Sequence, residues 1–219
     1  MLSKPRGKFI TFEGLDGAGK STQLKKLAAY LRKRGVDVII TREPGGTSLG
    51  SRLRSVLLNS RTSGLSPMAE LGLMFADRAQ HIDEKILPAL ERGQWVLCDR
   101  FSDSSEAYQG GGRELGSQVV HQLHKVLCHN LKPDLTILML SDLSASIARA
   151  RRRNTAKSRK KKDENRFENE KESFHQRVME AYLAIARREP QRVVKVDARE
   201  PIPTVHEKIV RSVEGRFKL

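Results

Sequence analysis

At 219 residues, 38% of them hydrophobic, the chain is long enough for one α/β core with an inserted segment and too short to hold two complete domains with ease. No apolar run approaches the ~20 residues of a membrane span, and the basic start, Met1 to Lys8, leads only into a short apolar strand, so a membrane helix is excluded and no export signal is read. The formal net charge of +15 would suit a nucleic-acid partner, but nine basic residues and no acidic one fall between Arg149 and Lys162, without the interleaved aromatic rings on which bases stack.

Nucleic acid is therefore not an expected partner, although a nucleic-acid-stimulated ATPase stays open as a rival from a different class. Two cysteines, Cys98 and Cys128, are too few for a disulfide or metal framework; both read as reduced core residues of a soluble, cytoplasmic protein.

The first strand signal, Phe9 to Phe12, runs through Glu13 into Gly14-Leu15-Asp16-Gly17-Ala18-Gly19-Lys20-Ser21, which fits G-x-x-x-x-G-K-[ST]. Behind it Leu24, Leu27, Ala28 and Leu31 follow helical spacing, so the order is strand, glycine loop, helix. That is the setting of a phosphate-binding loop. Glycine lets the backbone come close enough for successive N–H groups to converge on phosphate oxygens at a positive helix N-terminus. Lys20 supplies a full charge for the β and γ phosphates, and the Ser21 hydroxyl is a ligand for Mg²⁺.

Further along, Gly35 closes the first helix, Val36 to Thr41 reads as a second strand, and Arg42-Glu43-Pro44-Gly45-Gly46 ends it. Leu49, Leu53, Val56 and Leu57 have helical spacing; Ser60 to Pro67 is loop; Ala69 to Leu90 is a long amphipathic helix with Pro88 as its expected weak point. Trp95 to Cys98 is a strand running into Asp99, Gly110-Gly111-Gly112 marks a flexible loop, Val119 to Leu131 is helical, and Leu135 to Leu140 is another apolar strand. After the basic segment come a helix from about Lys171 to Arg188, a strand Val193 to Val196 and a last helix from Thr204 to about Glu214. Fully apolar strands alternating with helices imply an α/β fold of the P-loop NTPase type: three layers, a mostly parallel five-stranded sheet, helices on both faces and a basic lid. Ligands of such sheets sit at the carboxyl ends of the strands, which puts the glycine loop, Arg42 to Gly46 and Asp99-Arg100 on one rim.

On that rim Asp99 follows four apolar residues, as a carboxylate that holds Mg²⁺ opposite Ser21 would; a plain strand-end Asp is the alternative. Arg100 beside it favours the first reading. A planar guanidinium at a strand end grips a phosphate bidentately, and a phosphoryl acceptor needs such a clamp for in-line alignment. Two phosphate sites imply transfer between two nucleotides.

These pieces resemble the thymidylate kinases, which move the γ-phosphoryl group of ATP to thymidine monophosphate (dTMP). The likeness rests on Phe12 to Thr22, Thr41-Arg42-Glu43-Pro44-Gly45-Gly46-Thr47, Asp77-Arg78-Ala79-Gln80-His81, Asp99 to Ser105, Ala107-Tyr108-Gln109-Gly110-Gly111-Gly112-Arg113 and Pro133-Asp134-Leu135-Thr136, in the family's order, over Ile10 to about Val210. It implies one kinase domain over the whole chain, with a lid at about 149–170. ATP would lie on Gly14, Leu15, Asp16, Gly17, Ala18, Gly19, Lys20, Ser21 and Thr22, with Mg²⁺ on Ser21 and Asp99. Arg100 would clamp the acceptor phosphate, with Arg54 similar in position to a second phosphate arginine. Asp16 and Glu43 resemble carboxylates facing the acceptor pocket, Arg78 the residue that hydrogen-bonds the base, Ser105 and Gln109 contacts to its edge, and Tyr108 the ring beside the sugar. A homodimer formed through helices on one sheet face is also implied. A nucleoside kinase, or a kinase acting on dUMP, is the nearest rival.

The chain departs from the family pattern at three places. Met74 stands where the family usually has a ring to stack on thymine, leaving Phe75, one residue on, to take that part. Asn165-Arg166-Phe167-Glu168 replaces a motif that often begins with Asp, and the lid is lengthened by the run Lys157 to Lys162. Gly17 also occupies the place where one subclass carries an assisting arginine, so the cation should come from the Arg149 to Arg153 cluster: Arg153 first, then Arg149 and Arg166.

Overall fold

The computed structural model describes residues 6–146, 148–149, 152 and 164–219. Most of the expected lid, Arg153 included, therefore lies outside the described residues. Five strands, β1 (Phe9–Glu13), β2 (Val38–Arg42), β3 (Trp95–Asp99), β4 (Leu135–Leu140) and β5 (Val193–Asp197), form one sheet in the order β2-β3-β1-β4-β5. Every pairing is parallel, so the sheet is all-parallel. In register Asp99 lies opposite both Phe12 and Arg42, which brings the ends of the three strands to one level.

Strand alternation sorts the core into two faces. Ile10, Phe12, Leu97, Ile137 and Met139 pack against Leu24, Leu27 and Leu31 of α1 (Lys20–Lys33) and Val205, Ile209 and Val213 of α8 (Ile202–Phe217). On the other face Phe9, Val96 and Cys98 meet Leu71 and Phe75 of α3 (Pro67–His81) and Val120 of α6 (Ser117–Leu127). Cys98 and Cys128 are free thiols buried in this second cluster, as their apolar neighbours in sequence imply. A third cluster forms where Phe174, Val178, Tyr182 and Ile185 of α7 (Glu172–Arg188) cover Leu15, Tyr108 and Leu138.

Two local expectations need correction. The long helix does not break at Pro88: α3 continues through a π-helical turn, Ile82–Ile86, into α4 (Leu87–Glu91). The Leu87 N–H bonds to the Ile82 carbonyl there, and this widening absorbs a ring that an ordinary α-turn would clash with. Gly110 to Gly112 are not a flexible loop either; they lie inside a π-helical turn, Glu106–Gly112, that extends the short helix α5 (Ser102–Ser105). Their small size is needed because α7 passes so close: a Cβ at Gly111 would lie 2.7 Å from Ala181 Cβ, and one at Gly112 2.5 Å from the Phe174 ring. Gly112→Ala should therefore lower unfolding stability by about 1–3 kcal/mol through overpacking. Gly215→Ala, with open space around it in α8, should raise stability by about 0.5–1 kcal/mol through helix propensity. Urea unfolding of the two variants beside the parent checks both signs.

Candidate active site

The glycine loop leaves the central strand where Gly14 adopts φ 125° and lies so close to β4 that a Cβ would come within 2.4 Å of the Met139 carbonyl oxygen. Gly19 caps α1 in the left-handed region, φ 92°. It offers no side chain to the first-turn amides of α1, which are left for an anion at the positive helix end. Lys20 curls back over the loop and donates to the carbonyls of Gly14 (3.0 Å) and Leu15 (2.8 Å). Burial, with Arg100 nearby, lowers the Lys20 pKa to about 8. Ser21 Oγ donates to Asp99 Oδ2 at 2.6 Å, so the two expected Mg²⁺ ligands are neighbours. They suit a hard cation that takes oxygen donors and keeps several waters. Among the described residues no cluster of three or more His, Cys, Asp or Glu side chains forms a metal cage.

Arg100 has φ 75°, a left-handed conformation that is costly for a residue with a Cβ and typical of functional sites. Its guanidinium donates to Ser104 Oγ, Tyr182 OH and Tyr108 OH, each at 3.0 Å, and pairs with Asp16 Oδ2 at 3.1 Å. Burial opposes its charge, yet the Asp16 carboxylate, with the tyrosines and Glu13 nearby, holds its pKa well above the usual value. Tyr108 OH donates to Asp16 as well, at 3.2 Å. Beneath this group Glu13, fully buried, accepts from Phe101 N (2.7 Å), Ser104 Oγ (2.6 Å) and Tyr182 OH (2.9 Å).

Two chambers meet here. The outer one, about 790 Å³, is lined by the loop, Ser21, Thr22, Arg42, Asp99 and Arg149; the inner one, about 80 Å³, by Met74, Asp77, Arg78, Ser105, Tyr108 and Gln109. Asp16, Glu43, Arg54, Arg100 and Glu164 line both. Deep in the inner chamber Arg78 donates from Nε to Glu43 Oε2 at 2.8 Å and from Nη2 to the Phe101 carbonyl at 3.1 Å. Its third nitrogen, Nη1, is buried without a partner, an omission expected to be repaired by a ligand. Glu43 is held from its other oxygen by His81 Nδ1 at 2.9 Å, and His81 Nε2 lies 2.6 Å from Thr41 Oγ1.

The structure thus brings together nearly all the residues expected from sequence. Arg149 reaches the loop, its Nε donating to the Gly17 carbonyl at 2.9 Å, at the position where a loop arginine is missing. Arg54 lines both chambers but is engaged by Glu164. Arg166 lines neither chamber and is held instead by Glu70 and the Leu57 carbonyl. Phe75 is a correction: it lies in the core under Arg78, its ring 4.9 Å from that guanidinium, while Met74 lines the chamber. The reason is helical geometry, since residues 74 and 78 share one face, whereas 71, 75 and 82 point to the core.

Sequence reading missed Glu13, Asp77, Glu70 and Glu164. Asp77 Oδ1 accepts from Gly45 N at 2.9 Å, and burial with Glu43 nearby raises its pKa to about 6. Glu70 gathers Gln109, Arg113 and Arg166 onto one carboxylate. A signal for it existed: Glu70, Met74, Asp77, Arg78 and His81 follow i, i+4, i+7, i+8, i+11, a stripe on one helix face that is polar at every position but Met74.

A parallel sheet of this order, with a glycine loop between its central strand and a helix N-terminus, defines a P-loop nucleotide-binding protein, and the second chamber marks it as one that handles two ligands. Comparison with known proteins narrows this. The Thymidylate kinase family model matches residues 12–209. The chain is 48% identical to a thymidylate kinase of Alkalilimnicola ehrlichii, covering 91% of this chain and 89% of that one, and 47% identical to one of Pelobacter propionicus, covering 94% of each. A solved thymidylate kinase from Ehrlichia chaffeensis superposes with a TM-score of 0.75 at 32% identity, over 96% of this chain and 99% of that one. The chain belongs to the thymidylate kinase family.

Lys20 generates a pH prediction. A pKa of about 8 leaves the ammonium mostly charged at pH 7, and only about one molecule in ten charged at pH 9. A triphosphate favours the charged form, so ATP binding should take up a proton and weaken by about tenfold between pH 7 and 9. Titration calorimetry in buffers of different ionisation enthalpy measures both, and Lys20→Arg should flatten the profile.

Proposed function

We propose that this chain is an ATP-dependent dTMP kinase, moving the γ-phosphoryl group of ATP to dTMP to give ADP and dTDP for dTTP synthesis. The observation that carries the reading is the pair of chambers joined at Arg100: a phosphate loop on one side, and on the other a buried pocket ending in the unpartnered Nη1 of Arg78. In this reading the triphosphate lies on the amides from Gly17 to Thr22, with the Lys20 ammonium on its β and γ groups. Ser21 and Asp99 would hold Mg²⁺, directly or through water. When bound, that ion neutralises charge on the transferring phosphates.

Arg100, with Arg54, holds the acceptor's phosphate so that one of its oxygens faces the γ-phosphorus in line with the bridging oxygen. The new P–O bond forms as the bond from the γ-phosphorus to the β,γ-bridging oxygen breaks, and the electron pair leaves with ADP. The attacking oxygen is already anionic at neutral pH, so positioning and charge neutralisation are needed rather than a strong base. Lys20 and Arg149, on either side of the loop, act on the oxygens where charge gathers. At the far end Arg78 Nη1 donates to a pyrimidine carbonyl, Ser105 and Gln109 offer polar groups, and Met74 supplies apolar wall. A base that leaves these groups unpaired is rejected strongly.

The exposed Met68 in α3 and Val126 and Leu127 in the adjacent helix α6 support the homodimer, which sedimentation analysis would test. No helix among the described residues is long and apolar enough to cross a membrane, in keeping with a cytoplasmic setting.

A coupled ADP-release assay tests the function. With ATP and Mg²⁺, dTMP should turn over best. dUMP, one methyl smaller, should lose about tenfold or more in kcat/KM, and thymidine or no acceptor should give only background. Arg100→Ala should cut kcat/KM for dTMP by about a hundredfold or more. Hydrolysis that ignores the acceptor, or a preference for thymidine, would sink the proposal.

A further inference from the structure

The inner chamber, about 80 Å³, is far smaller than the ~300–1,000 Å³ of small-molecule sites. An ion pair stands where the two chambers meet. Arg54 donates from Nε to Glu164 Oε1 at 2.9 Å and from Nη2 to Glu164 Oε2 at 2.8 Å, a two-pronged fork, while Nη1 is fixed by the Pro44 carbonyl at 2.9 Å. Both side chains are well shielded, at 18% and 17% exposure, so this is not a solvent-screened surface pair. A guanidinium this desolvated is costly without a counter-anion, and a fork of two N–H groups suits a carboxylate and a phosphate equally well.

We propose that Glu164 holds the place of the acceptor's phosphate on Arg54, and that the monophosphate binds by displacing this carboxylate from the guanidinium. The inference rests on the reading that the acceptor's phosphate lies between Arg54 and Arg100. Glu164, Arg54 and Arg100 line both chambers, so the displaced carboxylate and the arriving phosphate contend for the same two nitrogens. The phosphate prevails through charge, since a phosphate monoester carries roughly −1.5 to −2 at pH 7 against −1 for a carboxylate.

The turn that follows Glu164, beginning at Arg166, is anchored independently. Arg166 N donates to the Leu58 carbonyl at 3.1 Å, Arg166 Nε to the Leu57 carbonyl at 2.7 Å, and its guanidinium pairs with Glu70. Displacing the Glu164 carboxylate therefore leaves that turn in place on α2 (Ser48–Leu58) and α3. Asp16 does not play the same part on Arg100, because Tyr108 OH ties it into the fixed network. Breaking the Arg54–Glu164 pair subtracts from the affinity for dTMP but not from that for thymidine, which brings no phosphate. Glu164 thus tunes how tightly a phosphorylated acceptor is held.

Calorimetric titration of the full chain with dTMP and with thymidine tests this. Glu164→Gln and Glu164→Ala should each tighten dTMP by about three- to tenfold and leave thymidine within about twofold, and the gain should vanish in an Arg54→Ala background. Two variants guard against a folding defect in either one, which thermal unfolding would reveal. Equal tightening of both ligands would mean a merely roomier pocket and would overturn the proposal, as would an unchanged dTMP affinity while Arg54→Ala still weakens binding. If Arg54→Ala leaves dTMP binding unaltered, the phosphate assignment to Arg54 fails and the proposal falls with it.

Discussion

The carboxylate of Glu13 is the constraint on which the site depends. It lies fully buried at the end of the central strand, immediately before the phosphate loop. Burial, with Asp103 nearby, raises its pKa to about 7. Three donors, Phe101 N, Ser104 Oγ and Tyr182 OH, converge on it from the segment after β3 and from α7. Removing any of them leaves a buried polar group unpaired, at about 1–3 kcal/mol each. Sheet, loop and covering helix are thereby locked into one arrangement, and Arg100 is held inside it. A left-handed arginine costs about 1–3 kcal/mol and persists only where its surroundings over-determine it. Here they do: Arg100 N donates to the Phe12 carbonyl at 3.0 Å, the next amide is fixed on Glu13, and the guanidinium is held by Ser104 and both tyrosines.

Around this node the cations of the inner chamber each have an anion. Arg100 pairs with Asp16, Arg78 with Glu43, and Arg54 with Glu164, while Arg113 and Arg166 share Glu70 just behind the wall. Buried pairs of this kind contribute little to net stability, because desolvation consumes what attraction returns. Their value is preorganisation: a donor already oriented and dehydrated needs no rearrangement when charge arrives. Lys20 differs, since its nearest acceptors are neutral carbonyls. Its depressed pKa follows from burial and then from the neighbouring Arg100.

What the sequence disclosed was the part of the molecule whose chemistry is local. The glycine loop, the apolar strands and the strand-end pair Asp99-Arg100 are contiguous signals, and a parallel sheet carries them to one rim without further information. The missed features are pairings between distant segments. Glu13 reads as an ordinary residue after a strand; only the approach of Tyr182, 169 positions later, makes it a node. The glycines at 110–112 are legible as permissive backbone, yet their reason is Phe174 and Ala181 pressing on them, which no local window contains. Met74 and Phe75 are adjacent in sequence, and one helical step of about 100° puts the first on the chamber and the second in the core. Choosing between them needs the helix phase, which the stripe from Glu70 to His81 would have fixed.

The loop itself shows why the missing arginine matters. With glycine at position 17 the loop carries no arginine of its own beside Lys20, and Arg149 arrives from beyond β4 to donate to the Gly17 carbonyl. A charge placed within the loop would be fixed before and after reaction. One delivered from a separate segment has a position set by the contacts that segment makes, including whatever occupies the outer chamber. Arg149 and Glu164 lie on either side of the basic run and both line that chamber. Arg149 bonds the Gly17 carbonyl of the loop, and Glu164 accepts from Arg54. One stretch of sequence thus supplies a contact to each of two parts of the chamber wall, the glycine loop and the Arg54 guanidinium.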